Sequence, residues 1–254
     1  MFESGNKSKM LYLRSFLFFI FMVITAIPFA LLGVLTFPFS FTTRYRVISQ
    51  WAKLNLWWLR LTCNLRYEVE GLENVPQETA IVFCKHASTW ETLALQAILP
   101  PQTWVLKREL LRVPFFGWGL AMLKPVAIDR ASGRQALKQL VELGKICLDE
   151  GRWLIIFPEG TRMAPGKMRK FGFGGALLAE KSGHPVVPIA HNAGHYWPRH
   201  GFLKKPGVIR VKIGPVIDSK NLKSSEINER AEQWMAAAMA EITGQAEEIV
   251  ERKQ

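Results

Sequence analysis

Cysteine is scarce in this 254-residue chain. Cys63, Cys84 and Cys147 form no C-x-x-C pair. Their odd number and apolar neighbours read as reduced thiols facing the cytosol, not as a disulfide framework. The five histidines and three cysteines form no cluster with metal-ligand spacing. Internal repeats and low-complexity tracts are missing, which argues against a repeat architecture. Acidic residues are few: 21 Asp and Glu against 33 Lys and Arg, a net charge of +12. That balance favours an anionic partner, whether nucleic acid, anionic lipid or phosphorylated substrate. The basic residues are spread along the chain and form no recognition helix, so no nucleic-acid partner is expected.

Charge is also missing locally. Residues Phe16 to Phe41 carry none, and the run includes Phe-Leu-Phe-Phe-Ile-Phe-Met-Val-Ile. About 20 apolar residues suffice to cross a bilayer as a helix. The run exceeds the apolar core of a cleaved signal peptide. Membrane insertion is therefore expected. Basic residues flank both sides (Lys7, Lys9 and Arg14 before, Arg44, Arg46, Lys53 and Arg60 after), which leaves orientation open. Two arrangements fit: a single span, or an embedded hairpin turning at Phe37-Pro38-Phe39-Ser40 with both ends cytoplasmic. In the next segment Val47, Trp51, Leu54, Trp58 and Leu61 fall on one helical stripe, and Arg46, Lys53 and Arg60 on another. That pattern predicts an interfacial helix, with rings at headgroup level and cations on lipid phosphate.

With hydrophobic content at 49%, the rest reads as a folded domain. Strands are predicted at 67–70, Ile81 to Cys84, 104–106, 124–130, 153–157, 186–190 and 208–213. Helices are predicted from Leu93, over Gln135 to Glu150, over Gly174 to Ser182, and over Glu226 to Glu251. Alternation of this kind predicts an α/β fold: a mixed, largely parallel sheet flanked by helices, with an N-terminal membrane-embedded two-helix region. The expected division is a membrane-associated region, 1–65, and an α/β domain, 66–254.

The chemistry concentrates after the strand Ile81 to Cys84. Lys85 and His86 stand at its end, and Glu91 lies in the next helical turn. Ligands of open α/β sheets bind at that carboxyl edge. Ser88-x-x-Glu91 also reads as a capping box, in which Glu91 serves only the helix end. Two further strands end in polar groups, Asp129-Arg130 and Glu159-Gly-Thr-Arg162. Parallel strands would bring all three to one rim. Arginine grips phosphate with a planar fork, Gly160 lets backbone amides approach an anion, and the Thr161 hydroxyl adds a hydrogen bond. Taken singly, Glu159 with Arg162 is equally a loop-closing salt bridge, and Asp129-Arg130 a solvated loop end.

His86-x4-Glu91 together with Phe157-Pro-Glu-Gly-Thr-Arg162 resembles the 1-acyl-glycerol-3-phosphate acyltransferase family of the bacterial PlsC type. Two further blocks of that family are present, Gly117 to Arg130 and Val187-Pro-Ile-Ala190. The resemblance spans about 85–190, and the Phe-Pro-Glu-Gly-Thr-Arg block is its most specific part. Two positions depart from it. Glu91 stands where the family has Asp, and Phe171-Gly-Phe-Gly174 lacks a family lysine, for which Lys167, Arg169 or Lys170 would substitute. The resemblance implies an O-acyltransferase of phospholipid biosynthesis in the bacterial inner membrane, its catalytic domain on the cytoplasmic side. It implies His86 as general base on the sn-2 hydroxyl of lysophosphatidate and Glu91 as the group that orients the imidazole. The acyl donor is acyl-CoA or acyl carrier protein, with no other cofactor and no metal. Glu159, Gly160, Thr161 and Arg162 would hold phosphate or glycerol, with Arg130 and Lys107 as further phosphate contacts.

Other readings stay in view. Glycerol 3-phosphate, another lysophospholipid or a lyso-aminolipid is an alternative acceptor. A Cys84–His86 hydrolase would put both side chains on one strand face with little room for substrate. A non-catalytic anionic-lipid-binding protein also fits the charge.

Overall fold

The computed structural model describes residues 2–129 and 132–251, with side chains from Ser8 onward. The chain opens on α1 (Phe2–Leu35). After a turn, α2 (Phe41–Cys63) begins with the Ser40 side chain accepting from the Thr43 amide. The two helices run antiparallel. Trp58 reaches the Leu17 carbonyl and stacks on Phe21, Trp51 donates to Thr25 Oγ1 at 3.1 Å, and Ile48 meets Gly33. The hairpin turn falls where Phe37 to Ser40 predicts it.

Within α1, Ser8–Leu35 is the one stretch of the described residues long and apolar enough to cross a membrane. Its 28 residues span about 42 Å at 1.5 Å each, and most of its large side chains, from Phe16 to Leu35, are exposed. The second helix differs from expectation. Its basic stripe, Arg46, Lys53 and Arg60, is exposed as predicted. However, Trp51 and Trp58 also pack on α1. A third face, with Tyr45, Ala52, Leu56, Leu59 and Cys63, is buried in the core of the α/β domain. Periodicity alone does not show that this third face is buried against the domain.

The sheet has seven strands. Along the chain they are β1 (Leu65–Glu70), β2 (Ile81–Cys84), β3 (Gln102–Lys107), β4 (Val126–Ile128), β5 (Trp153–Ile156), β7 (Val186–His191) and β8 (Gly207–Ile213). Their order across the sheet is β1-β8-β7-β2-β5-β3-β4. All neighbours pair in parallel except β7 with β8. The mixed, largely parallel sheet is as predicted. Central strands read as unbroken apolar runs because both sheet faces are covered. Val82, Cys84 and Ile155 face one layer with α2 and α3 (Trp90–Ile98). Ile81, Phe83, Leu154 and Ile156 face the other, with α5 (Arg134–Asp149), α6 (Phe173–Ser182) and α8 (Ser224–Thr243).

Two short helices complete the set. α4 (Phe116–Met122) lies against α1, where Gly119 approaches the Ala30 Cα closely enough that a side chain would touch it. α7 is Ala193–Tyr196. The final helix is shorter than predicted. It stops at Thr243 because Gly244 takes φ +73°, a left-handed conformation that ends helices. The tail then returns as β9 (Glu248–Val250), pairing in parallel with β6 (Lys167–Arg169).

Candidate active site

The parallel strands β7, β2, β5, β3 and β4 carry their carboxyl ends to one edge. His86 follows β2, with the Lys85 amide still bonded to Ile189 O of β7 at 2.9 Å. The chain then enters α3, and four residues separate His86 from Glu91. Glu91 Oε1 lies 2.8 Å from His86 Nδ1. The same oxygen accepts the Ala87 amide at 3.0 Å and the Ser88 amide at 2.9 Å. Capping and catalytic readings of Glu91 therefore coincide: one oxygen holds the helix entry and the imidazole together. The Glu side chain thus reaches the ring from the first turn of α3.

Glu91 is fully buried, while His86 keeps 16% of its side chain exposed. Burial alone would raise the Glu91 pKa. The hydrogen bond from His86, the electrostatic influence of the His191 and His86 imidazoles, and the Ser88 amide outweigh it and hold the carboxyl below its ordinary value. An ionised Glu91 accepts Nδ1–H, which leaves Nε2 as the acceptor that a general base needs. Phe157 stacks on the ring, centroids 4.0 Å apart and planes 17° off parallel, and limits its rotation.

The loop after β5 is stitched to the same residue from both sides. The His86 amide donates to Glu159 Oε2 at 2.9 Å, and the Met163 amide donates to His86 O at 2.7 Å. Arg162, next to Met163, therefore shares the rim with His86. Gly160 turns at φ +74°, with its amide on Phe157 O at 2.9 Å. Thr161 and Arg162 are partly exposed. Arg162 Nε is buried with no hydrogen-bond partner, and Arg199 donates to the Arg162 carbonyl at 2.6 Å.

Not every candidate faces the open side. Glu159 is 1% exposed, and both its oxygens are engaged, Oε2 by the His86 amide and Oε1 by Lys85 Nζ at 3.0 Å. It holds the loop and has no face toward a substrate. Lys107 is exposed at the end of β3, two strands from β2 and so about 10 Å across the sheet. Arg130 lies outside the described residues. Among the alternates for the family lysine, Lys167 pairs with Glu248 at 3.3 Å, Arg169 has a buried Nε with no partner, and Lys170 is exposed.

Sequence reasoning assigns no role to three groups at the site, although it places Lys85 beside His86. Lys85 is 2% exposed under the loop. His191 ends β7 with its Nε2 donating to Lys85 O at 2.9 Å and standing 3.9 Å from Glu91 Oε2. Glu247 reaches in from the tail to Lys85 at 2.9 Å. A lysine directly after four buried apolar residues was the one available signal. Cys84 is fully buried, and burial, with the Glu91 and Glu159 charges, pushes its thiol well above its ordinary range. It is no nucleophile. Among the described residues, no three His, Cys, Asp or Glu side chains gather to hold a metal.

Comparison with known proteins points the same way. Residues 66–192 match a family model described as acyltransferase. The chain is 47% identical over 236 residues to a 1-acyl-sn-glycerol-3-phosphate acyltransferase of Pseudomonas aeruginosa, covering 91% of this chain and 92% of that one. It is 29% identical to a protein of the same description from Saccharomyces cerevisiae, over 73% of this chain and 63% of that one. The fold superposes on the crystal structure of the 1-acyl-sn-glycerophosphate acyltransferase PlsC from Thermotoga maritima with a TM-score of 0.78. Identity there is 22%, with 94% and 98% of the two chains covered.

Proposed function

The chain belongs to the acyltransferase family, as an O-acyltransferase of the 1-acyl-sn-glycerol-3-phosphate type, and on that premise we propose that it converts lysophosphatidate to phosphatidate. The acyl chain comes from acyl-CoA or acyl carrier protein, and no further cofactor enters the reaction. The observation that carries this reading is the His86–Glu91 pair at 2.8 Å beside the Arg162 loop, joined by the Met163 amide at 2.7 Å.

His86 Nε2 takes the proton of the sn-2 hydroxyl while Glu91 steadies the imidazolium that forms. The oxygen attacks the thioester carbonyl and gives a tetrahedral intermediate. Its collapse breaks the carbon–sulfur bond, and the proton on Nε2 passes to the departing thiolate. The products are an ester and a free thiol, and His86 returns to its neutral form. No acyl-enzyme is required. Arg162 grips the acceptor phosphate, helped by the Gly160 and Thr161 backbone. Lys107 extends the basic rim, Arg130 is a further candidate phosphate contact, and Glu159 acts by holding the loop.

Residues 1–65 serve as the membrane-associated region and 66–254 as the catalytic domain. The largely exposed apolar face of α1 supports attachment to the bilayer. This reading sets the active site at the cytoplasmic surface of a bacterial inner membrane, where both substrates are supplied.

The test is an acceptor screen with purified protein, labelled acyl-CoA or acyl carrier protein, and detection of released thiol. Label should enter lysophosphatidate in preference to glycerol 3-phosphate or other lysolipids. The His86→Ala variant should lose about 10²- to 10⁴-fold in turnover. Binding of lysophosphatidate without thiol release, or full turnover in His86→Ala, would sink the proposal.

A further inference from the structure

Lys85 is the residue before the proposed base, and its ammonium is almost fully buried. Such a group has three donors; it makes two hydrogen bonds and one further ion pair, each with a different part of the chain. Glu159 Oε1 is at 3.0 Å on the loop after β5, the Lys167 carbonyl at 2.9 Å on β6, and Glu247 Oε2 at 2.9 Å on the C-terminal tail. Glu159 passes the connection on, because its second oxygen takes the His86 amide at 2.9 Å. The tail is fixed independently of its side chains: the Glu248 amide donates to Gly166 O at 2.8 Å, and β9 pairs with β6. A continuous path of charge contacts thus runs from residue 247 to the backbone of residue 86. Glu247 lies outside residues 66–192, the segment matched by the acyltransferase model.

We propose that Glu247 is a positioning residue of the acyl-transfer site, acting through Lys85 and Glu159 to set the His86 loop. Lys85 stands between two buried carboxylates. With Glu247 present, its ammonium is held midway, and Glu159 keeps one oxygen for the His86 amide. Without Glu247, Lys85 is drawn onto Glu159 alone, and the carboxylate rotates away from that amide. The imidazole moves with its backbone, while Arg162, farther along the loop, keeps its approach to the acceptor. The inference rests on the acyl-transfer reading above for its kinetic test and on no activity for its chemical one.

The experiment uses the full chain with Glu247→Gln, Glu247→Ala and Glu247→Asp. Glu247→Ala should lower kcat about tenfold or more, as a small displacement of a reacting group does, with KM for lysophosphatidate within about twofold. Glu247→Asp should recover part of the loss. In a Lys85→Met background, Glu247→Gln should add nothing further, since coupled residues are not additive. His86 carbethoxylation, mapped by mass spectrometry, should change severalfold in Glu247→Gln and serves as the readout should any other variant fold poorly. Wild-type kcat together with an unchanged His86 modification rate in Glu247→Gln would overturn the proposal. So would a loss confined to KM, or losses that add fully in the Lys85→Met background. An inactive wild-type protein would instead defeat the acyl-transfer reading, and the His86 modification rate would still decide the role of Glu247.

Discussion

The two sides of the active-site rim are built in opposite ways. On the histidine side, six residues suffice: Glu91 Oε1 collects His86 Nδ1 and the Ala87 and Ser88 amides within a short stretch of chain. On the arginine side nothing local suffices. The loop from Phe157 to Met163 is held by His86, Lys85 and, through Lys85, by Glu247. On the proposed reading, the general base needs its proton acceptor closely aimed, and a short covalent connection would supply that aim. On the same reading, a phosphate grip needs a cation at the right height above the rim, and buried long-range contacts would supply the height.

The largest effect that would break this comparison is expected at Glu91. Glu91→Gln retains an oxygen for the Ala87 and Ser88 amides but offers the ring a weaker acceptor or a clashing donor. Turnover should fall about hundredfold or more, since loss of the orienting acid leaves the wrong tautomer. The melting temperature should fall less than in Glu91→Ala, which loses the cap as well. Steady-state kinetics beside thermal melts would check it. Equal stability of the two variants would deny the double duty of Oε1.

On the other side, Arg162→Lys keeps the charge and removes the fork. Because lysine presents a point charge where arginine offers paired donors, KM for lysophosphatidate should rise about tenfold with kcat less affected. The measurement is a saturation curve for each variant at fixed acyl donor. A fall in kcat alone would mean that Arg162 acts on the reacting carbonyl and not on the acceptor phosphate.

What sequence reasoning could reach follows the same division. The strand at Ile81 to Cys84, the parallel sheet and the His86–Glu91 spacing are local patterns, and they appear where periodicity puts them. The hairpin turn at Phe37 to Ser40 is local as well. Long-range burial is different. The stripe of Trp51 and Trp58 has the period of an interfacial helix, yet α1 lies against it and Leu56 and Leu59 plug the sheet layer. Glu159 looks like a substrate ligand by position, but Lys85 and the His86 amide claim both its oxygens. The tail beyond Gly244 continues a helical pattern in sequence, but once Gly244 has ended the helix it pairs as β9 with β6. Each of these depends on partners dozens of residues distant.

The smallest predicted effect sharpens the comparison from beneath the site. His191 is 1% exposed at the end of β7. Its neutral ring is fully used: Nε2 donates to Lys85 O at 2.9 Å and Nδ1 accepts the Ala193 amide at 3.3 Å. Burial holds its pKa below the ordinary value, with Lys85 and His86 assisting, despite the opposing pull of Glu91 and the Lys85 carbonyl. The unfolded chain, with an ordinary histidine near 6.5, binds the proton first. Stability is therefore lost as pH falls from about 6.5 toward the lower native value, with a limiting slope of about 1.4 kcal/mol per pH unit for one proton. His195, lowered chiefly by burial, adds in the same direction. His191→Asn keeps a donor for Lys85 O and removes one titrating group. Urea midpoints measured in detergent between pH 7.5 and 5.5 should fall less steeply for the variant than for the wild type. Parallel slopes would mean that the ring takes up its proton in the folded protein, and the site floor would then carry a charge opposite Glu91 that a neutral His191 does not supply.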